Sequence, residues 1–384
     1  MCAQQPETPL PEHAGRSAEP RLRVTAGTCH AFFAFDVAQA VDLEVCARRL
    51  RDPASRVRIA HQQRAPAYFQ FEPAPLRVLQ EITPFAVGGR LLRPRVEAVL
   101  YDFGGVSLGY TVPCEGSLEE LVELSCALQE SEALRSDAEL RVRQLLEAIG
   151  DAASHSRVAE VTEDYLVFQI EGFEAAESLP ELPGRHGPAI ARVLRAERDA
   201  LSAQEVADAL ATPVAYGADD VSFIDWNGAL VFAREADDVR AVLEFANVQL
   251  TEMRFLDDRL DDSVDRAYAT LSARWARLPF RSGLRELTRV ARMQVEGAIL
   301  FERVSNALKL LGDPYLARVY LQAARRFRLA EWNGGILRKL TAIEGIYAKL
   351  SDAAGVRRME LLEWIIILLI AFEVALPFLS GVSR

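Results

Sequence analysis

Lysine is almost absent from this sequence. Only three of its 44 basic residues are lysines, at Lys309, Lys339 and Lys349, and the rest are arginines. Such a bias is typical of a G+C-rich genome, so we expect a bacterial source. Residues 1–308 contain no lysine. That absence excludes a kinase-type strand lysine or a P-loop lysine there, and Tyr101-Asp102-Phe103-Gly104 is therefore not a kinase motif.

The residues and motifs of common catalytic centres are also scarce. The five cysteines form no CxxC pair, and the five histidines show no HxxxH or HxxEH spacing. The chain has no GxSxG, no P-loop and no GxGxxG placed after a strand. We therefore expect no catalytic residues, no cofactor and a non-enzymatic protein, with reduced thiols of a cytoplasmic domain.

The N-terminus lacks an apolar h-region and an Arg-rich amphipathic pattern, so we expect it to be neither a secretory signal nor a typical transit peptide. Residues 1–20 are rich in Pro, Glu and Ala, a composition typical of a disordered tail.

Residues 21–235 alternate strand and helix patterns, which predicts an α+β domain. Residues 96–112 indicate two strands separated by a turn at Gly104-Gly105. Ser117-Leu118-Glu119-Glu120 and Ser136-Asp137-Ala138-Glu139 are both capping boxes, each of which predicts a helix start. Asn227-Gly228 predicts a hairpin turn within residues 221–232.

Residues 236–356 show apolar residues at steps of three and four, which predicts an arm of long helices, as in a helical hairpin or coiled coil. The first helix is broken at Pro279, and a second covers about 284–311. Gly312-Asp313-Pro314 ends one helix and starts the next, which we expect to continue to about Leu350. The first helix is acidic and the following ones are basic, so antiparallel packing would pair their charges.

The net charge of −11 argues against general coating of nucleic acid. Residues 281–360 nevertheless hold 15 Lys and Arg against 8 Asp and Glu, a local charge of +7. The basic section ends in Arg357 and Arg358, directly before the apolar run 361–379.

That apolar run predicts one C-terminal transmembrane helix, because 19 residues suffice to cross a bilayer core of roughly 30 Å. The Arg pair predicts a single-pass topology in which the bulk of the chain faces the cytoplasm. The segment 357–384 then comprises this pair, the transmembrane helix and a short tail. Glu373 lies inside the run and predicts a specific helix contact, such as homo-oligomerisation. The side chains assigned to this anchor are Leu361, Glu363, Trp364, Ile365, Ile366, Ile367 and Glu373.

Two further clusters are candidate sites. Asp257, Asp258, Asp261 and Asp262 are spaced to place carboxylates on one helix face, which suits either Mg²⁺ or Ca²⁺ or, as we favour, a solvated face without metal. The basic run contains Arg318, Arg325, Arg326 and Arg328 near aromatic residues. It suits anionic lipid, RNA or a protein partner, or pairing with the acidic helix.

Leu362-Glu363-Trp364, the isoleucines after it and Glu373-Val374 resemble the closing signature of one family. It is the "required for meiotic nuclear division" family, which includes bacterial YagE-like members. Residues 103–110 are similar to that family's early aromatic-glycine-valine strand, and the resemblance covers roughly residues 95–379. It implies a domain of undefined biochemistry with a C-terminal membrane anchor. Mitochondrial members are associated with the inner membrane and with organelle translation, and no catalytic residues are implied.

The sequence thus favours a membrane-tethered, non-enzymatic scaffold or adaptor whose protein partner is unknown. The alternatives are a metal-dependent enzyme that uses the acidic helix face 257–265, and a ribosome or RNA tether that uses the basic helix 318–328. Nucleic acid other than ribosomal RNA is not an expected partner.

Overall fold

The computed structural model describes residues 22–50, 55–56, 73–174, 178–274, 292, 295 and 313–380. The tail 1–20, the break at Pro279 and most of the helix predicted at 284–311 lie outside the described residues. Some side chains near the ends of the two longest helices are also outside them.

A nine-stranded sheet forms the centre of the fold. The strands of the described residues are β1 Arg23–Asp36, β2 Ala40–Val41, β3 Ser55–Arg56, β4 Leu76–Glu81, β5 Ala86–Val87, β6 Arg90–Leu91, β7 Arg95–Leu100, β8 Gly105–Pro113, β9 Gly116–Ser117, β10 Ala153–Ser154, β11 Thr162–Glu174, β12 Val221–Ile224 and β13 Gly228–Phe232. The order in the large sheet is β12–β13–β11–β1–β8–β7–β4–β3, and β9 pairs with β1 beside this path. Neighbours run antiparallel except β11 and β13, which are parallel. Two small two-stranded sheets, β10–β2 and β5–β6, accompany it.

Helices cover both faces of the sheet. They are α1 Leu43–Arg49, α2 Leu118–Gln129, α3 Glu132–Ile149, α4 Leu182–Arg195, α5 Ala203–Ala209, α6 Asp237–Arg274, α7 Pro314–Arg326 and α8 Leu329–Ser380. The first five pack into one hydrophobic core and the last three into a second. The mixed α+β class predicted from the sequence is therefore present.

Strand β1 shows why the chain makes two cores. Ala31, Phe33 and Phe35 belong to the core under α1–α5, whereas Phe32 and Ala34 belong to the core under α6–α8. Successive side chains of a strand point to opposite faces of the sheet, so an apolar run can be buried on both sides. The run therefore suits a central strand covered by helices on both faces.

The first part of α6 lies on the second face of the sheet, against β1, β8 and β11. Its acidic side packs along α8, where Nζ of Lys339 lies 2.7 Å from both Asp257 and Asp261. One contact of the kind predicted between acidic and basic helices is therefore present between α6 and α8, whereas the basic helix predicted at 284–311 lies almost entirely outside the described residues.

The helix predicted to start at Pro314 does start there, with Asp313 as its N-cap and a hydrogen bond from Tyr315 N to the Asp313 carboxylate. It does not continue to Leu350 as expected. α7 ends at Arg326, and Arg328 adopts a left-handed conformation with φ of 54° before α8 begins. A non-glycine residue in this conformation is uncommon, and it turns the chain sharply.

The predicted membrane anchor requires correction. Among the residues that the structure describes, no helix is both long enough and apolar enough to cross a membrane. The segment 361–379 is the continuation of α8, a single helix of 52 residues whose earlier part carries charged side chains and packs on α6. This finding overturns the transmembrane helix and, with it, the single-pass membrane localisation and the orientation inferred from the Arg pair.

Within this segment the backbone is helical throughout. The side chains of Trp364, Ile365, Ile366 and Ile367 are exposed, as is that of Glu363. The side chains of Arg357, Arg358, Leu361 and Glu373 lie outside the described part of the chain.

Candidate functional site

The four aspartates predicted as possible metal ligands lie on the side of α6 that faces α8 or solvent. Asp257 and Asp261 share the ammonium group of Lys339. Burial opposes the charge on Lys339, but its hydrogen bonds to the two carboxylates outweigh that effect and raise its pKa. Asp258 and Asp262 are exposed. Within the described ranges, no three His, Cys, Asp or Glu side chains are grouped so as to hold a metal ion.

The basic residues predicted as a partner surface lie together on α7 and at the turn after it. Arg318 is exposed, donates to the Ala215 carbonyl at 3.2 Å and has its guanidinium 6.0 Å from the centre of the Tyr315 ring. Arg325 and Arg328 are exposed, and neither forms an ion pair with a carboxylate in the part of the chain that the structure describes. We call Arg318, Arg325 and Arg328 the basic corner.

Arg326 differs from these three because its side chain is only 12% exposed. Its Nη1 lies 3.0 Å from Asp208 and 3.5 Å from Asp225. Arg326 is next to Arg325 in the sequence, but its guanidinium group pairs with carboxylates of the protein itself. It therefore holds α7 against the α+β part of the chain.

A pocket of about 620 Å³ opens at the basic corner. Three separate segments build its wall: the end of α5, the turn between β12 and β13, and the end of α7 with the residue that turns into α8. The lining residues are Asp208, Ala211, Thr212, Trp226, Gln322, Arg325, Arg326 and Arg328.

The hairpin turn supplies the aromatic part of the wall. The predicted hairpin is present, and Asp225 N donates to Gly228 O at 2.9 Å to close its turn. Asp225 and Asn227 are buried, whereas the side chain of Trp226 between them is 54% exposed. The indole is thus held at the pocket by a backbone that is itself fixed.

The polar part of the wall comes from the loop after α5 and from α7. The Thr212 hydroxyl donates to Ala211 O at 2.5 Å, and Nε2 of Gln322 donates to the same oxygen at 3.4 Å. Thr212 has a positive φ of 62°, which turns the loop towards α7.

Beneath the pocket lies a buried ion-pair network. The Asp225 side chain has no exposed surface, and its two oxygens face Arg195 at 2.8 Å and Arg326 at 3.5 Å. Arg195 also pairs with Asp208, at 2.8 Å, and with Glu205. Because Asp208 has both arginines as partners, the single carboxylate in the pocket wall is neutralised. The wall therefore keeps the positive charge of Arg325 and Arg328.

Two aromatic residues of the neighbouring hydrophobic core hold Asp225 and the turn after α7 in place. The Tyr165 hydroxyl donates to the Asp225 carbonyl at 3.0 Å, and the Tyr165 ring packs edge-to-face on Phe327 at 5.1 Å between centroids. Phe327 and Arg328 are the two residues between α7 and α8, so the turn that exposes Arg328 is anchored in the core through Phe327.

A second polar cluster lies under α6, away from the pocket. Burial, followed by the charge of nearby Glu97, raises the pKa of Glu244 to about 7. Burial, followed by Arg240, lowers the pKa of His30 to about 3. Glu97 pairs with Arg77 at 2.6 Å. The cluster is enclosed between the sheet and α6, so we do not place the candidate site there.

A larger pocket, of about 810 Å³, lies at the carboxyl ends of the parallel strands β11 and β13. Its acidic side chains include Asp219 and Asp220, and the Asp220 carboxylate accepts hydrogen bonds from the backbone of Tyr216 and Gly217. That aspartate is occupied in holding its own loop. We therefore place the candidate site at the smaller pocket, where exposed cations and an aromatic ring converge.

The four arginines of this region are predicted from the sequence, but several residues that complete the pocket are not. Trp226 is the clearest omission, although a large aromatic in a hairpin turn is an unusual feature that the sequence displays. The other omitted residues are Arg195, Asp208, Thr212, Asp225 and Gln322.

The family described as "Uncharacterized protein MJ0711, N-terminal domain" matches residues 26–238. A protein of Methanocaldococcus jannaschii, named "Uncharacterized protein MJ0711", is 24% identical over 194 residues. That match covers 49% of this chain and 58% of the relative, so the chain spans little more than half of the relative's length. No solved structure matches.

These matches overturn the resemblance to the "required for meiotic nuclear division" family and its bacterial YagE-like members. The residues that carried it lie mainly in 361–379, outside the matched range 26–238, and a short apolar signature is easily shared by chance. The family match covers more than half of the chain. The chain therefore belongs to the family defined by the N-terminal domain of uncharacterized protein MJ0711.

Proposed function

We propose that this chain is a non-enzymatic adaptor that binds an anionic macromolecule through the basic corner. One observation carries the proposal. Arg325 and Arg328 are exposed beside an exposed indole, while the neighbouring Arg326 is neutralised by Asp208 and by the buried Asp225. Arginine is suited to phosphate and carboxylate recognition because its planar fork of donors allows two parallel hydrogen bonds.

The chemistry of the pocket wall favours binding over catalysis. Its carboxylate, Asp208, is held by two arginines, and its hydroxyl, Thr212, donates to a backbone carbonyl. Within the pocket wall, neither Asp208 nor Thr212 lies beside a histidine or a second free carboxylate. An activated nucleophile requires such a neighbouring base.

The rigidity of the site also supports a docking role. The Asp225 network joins α4, α5, the hairpin turn and α7, so the pocket is preformed. A preformed surface loses less conformational freedom on binding. The scaffold function expected from the sequence is therefore retained as a proposal, without the membrane tether. The metal-dependent alternative is not favoured, because Lys339 occupies the space between Asp257 and Asp261.

Charge reversal tests this proposal. We expect the double variant Arg325→Glu, Arg328→Glu to bind heparin more weakly than the wild type and to elute from a heparin column at lower salt. Binding that uses these two cations should also lose about two units of slope in a plot of log affinity against log salt.

The matched control is Arg135→Glu, Arg143→Glu, which makes the same charge change on exposed residues of α3, on the other side of the sheet. Unfolding curves in urea verify that both variants are folded. Equal loss in the two double variants would show that only net charge matters, and the proposal would then be wrong.

A further inference from the structure

We propose that the pocket beside Trp226 binds one unstacked base of a single-stranded nucleic acid, with its phosphates on Arg325 and Arg328. This inference rests on the proposed function, because it specifies which anionic macromolecule the basic corner accepts. It uses three features of the pocket: a fixed aromatic face, a pair of exposed guanidinium groups, and a charge balance that does not repel phosphate.

The aromatic face is the first feature. Trp226 has more than half of its surface exposed, although both of its neighbours are buried. Its turn is closed by the hydrogen bond from Asp225 N to Gly228 O, and the buried Asp225 side chain is held by two arginines. An indole fixed in this way offers a stacking surface, and stacking on aromatic side chains is the general means of binding bases without regard to sequence.

The pair of guanidinium groups is the second feature. Arg325 lies in the last turn of α7, and Arg328 lies beyond the helix end with φ of 54°. Both line the same pocket as Trp226. The turn between α7 and α8 therefore places two phosphate-binding groups beside one base-binding ring. This combination of cations and an aromatic face is typical of surfaces that follow single strands.

The charge balance is the third feature. The pocket wall contains three arginines and one aspartate, and the aspartate is paired with Arg195 as well as with Arg326. A phosphate entering the pocket therefore meets a net positive wall even though the whole chain carries −11. Local charge, not the sum over the chain, decides where a polyanion docks.

The surface continues beyond the pocket, which favours a strand over a free nucleotide. Arg318 precedes Arg325 by seven residues on α7, a separation of about 10 Å along a helix. Leu321 lies between them and is exposed, and exposed Tyr216 packs edge-to-face on Tyr315 beside Arg318. A mononucleotide fills only the pocket, whereas a strand also reaches Arg318 and Tyr216.

The test compares a fluorescein-labelled U12 RNA strand, a 12-base-pair RNA duplex and UMP. By fluorescence anisotropy, the wild type should bind U12 more tightly than the duplex, and UMP should compete only weakly. Trp226→Ala should weaken U12 binding roughly 5- to 100-fold while leaving duplex and heparin binding unchanged. Trp226→Phe should retain most of the U12 affinity, because it keeps an aromatic face.

The matched control is Trp364→Ala, the same change at another exposed tryptophan, which should leave U12 binding unaltered. If heparin and duplex bind through Arg325 and Arg328 but Trp226→Ala changes nothing, the base pocket is wrong and the adaptor proposal stands. If UMP competes as well as U12, the site takes a nucleotide and the strand is excluded. If the charge-reversed double variant keeps full affinity for every probe, both proposals fail.

Discussion

Nε of Arg195 lies 2.8 Å from the carboxylate of Asp225, whose side chain has no exposed surface. Asp225 lies in the hairpin turn after β12, and Arg195 is the last residue of α4. Because Arg326 of α7 faces the other oxygen of the same carboxylate, one buried charge joins the hairpin to helices from both layers. The geometry of the pocket above depends on this charge.

Replacing Asp225 by Asn should destabilise the protein strongly. The change removes the charge that compensates two largely buried guanidinium groups, and breaking a buried ion pair by removing one partner costs about 3–5 kcal/mol. Urea unfolding measures the change. The control is Glu205→Gln, which removes a half-exposed partner of Arg195 and should cost under about 1 kcal/mol. Equal effects from the two variants would contradict a central role for Asp225.

Gly104 should not tolerate alanine. It has φ of +105°, and an added Cβ would lie 1.8 Å from the Ala38 carbonyl oxygen, so the turn between β7 and β8 would have to move. We expect a loss of at least about 3 kcal/mol in the free energy of unfolding. Gly89→Ala is the control, since Gly89 also has a positive φ but nothing within 4 Å. It should cost about 1 kcal/mol, and a larger loss there than at Gly104 would contradict the steric argument.

Local signals in the sequence predicted much of the fold. The Ser117 capping box and the Asp313 N-cap are present as predicted, and so is the turn at Gly104. Each of these depends on residues a few positions apart, so a short window contains the cause. The second capping box, at Ser136, was wrong because Ser131 already caps α3 and places Ser136 inside that helix.

The site was only partly predictable for a similar reason. Arginine is not a typical turn residue, so nothing in the sequence marks the break at Arg328 that separates α7 from α8. The pocket joins Thr212 and Trp226 to residues about 100 positions later, and only tertiary packing brings them together. The sequence likewise did not indicate that Arg326 is neutralised while its neighbours remain exposed.

We expect the contribution of Glu244 to the free energy of unfolding to fall as the pH rises towards 8. Its pKa is about 7 in the folded protein because of burial and nearby Glu97, against about 4.3 in an unfolded chain. The folded state therefore binds this proton more tightly, and the resulting stabilisation is complete below about pH 4 and lost as the pH rises through 7. The loss amounts to about 4 kcal/mol for this group.

Urea unfolding at pH 5, 6, 7 and 8 measures this dependence. Glu244→Gln should lose less stability than the wild type between pH 5 and pH 8, since an amide does not titrate. Burial also raises the pKa of Asp238, to about 7, so part of the dependence should remain in this variant. Glu119→Gln, at an exposed position, should leave the profile as in the wild type. A profile of Glu244→Gln identical to that of the wild type would contradict this assignment.

Because Lys339 pairs with the acidic face of α6, we expect divalent cations not to stabilise the protein through that face. The Lys339 ammonium lies 2.7 Å from both Asp257 and Asp261 and occupies the position between them that a cation would need. Millimolar Ca²⁺ or Mg²⁺ should leave the Tm of the wild type unchanged, and Lys339→Met should make the Tm rise on adding Ca²⁺. Arg338→Met removes an exposed cation from the same helix and should create no such response. A Ca²⁺-dependent rise in the wild type would revive the metal-site hypothesis.

The exposed apolar side chains near the end of α8 predict self-association of the chain. Leu362, Ile366 and Leu369 are each more than half exposed and share one face of the helix at steps of four and three. Contiguous exposed apolar surface of this kind is typical of an interface. Sedimentation equilibrium should therefore show a mass above that of a monomer for the wild type and a lower mass for Ile366→Glu, Leu369→Glu. Leu91→Glu, Leu140→Glu makes the same change at exposed leucines elsewhere and should leave the mass unaltered. A wild type that has the mass of a monomer at the highest concentration measured would contradict this interface.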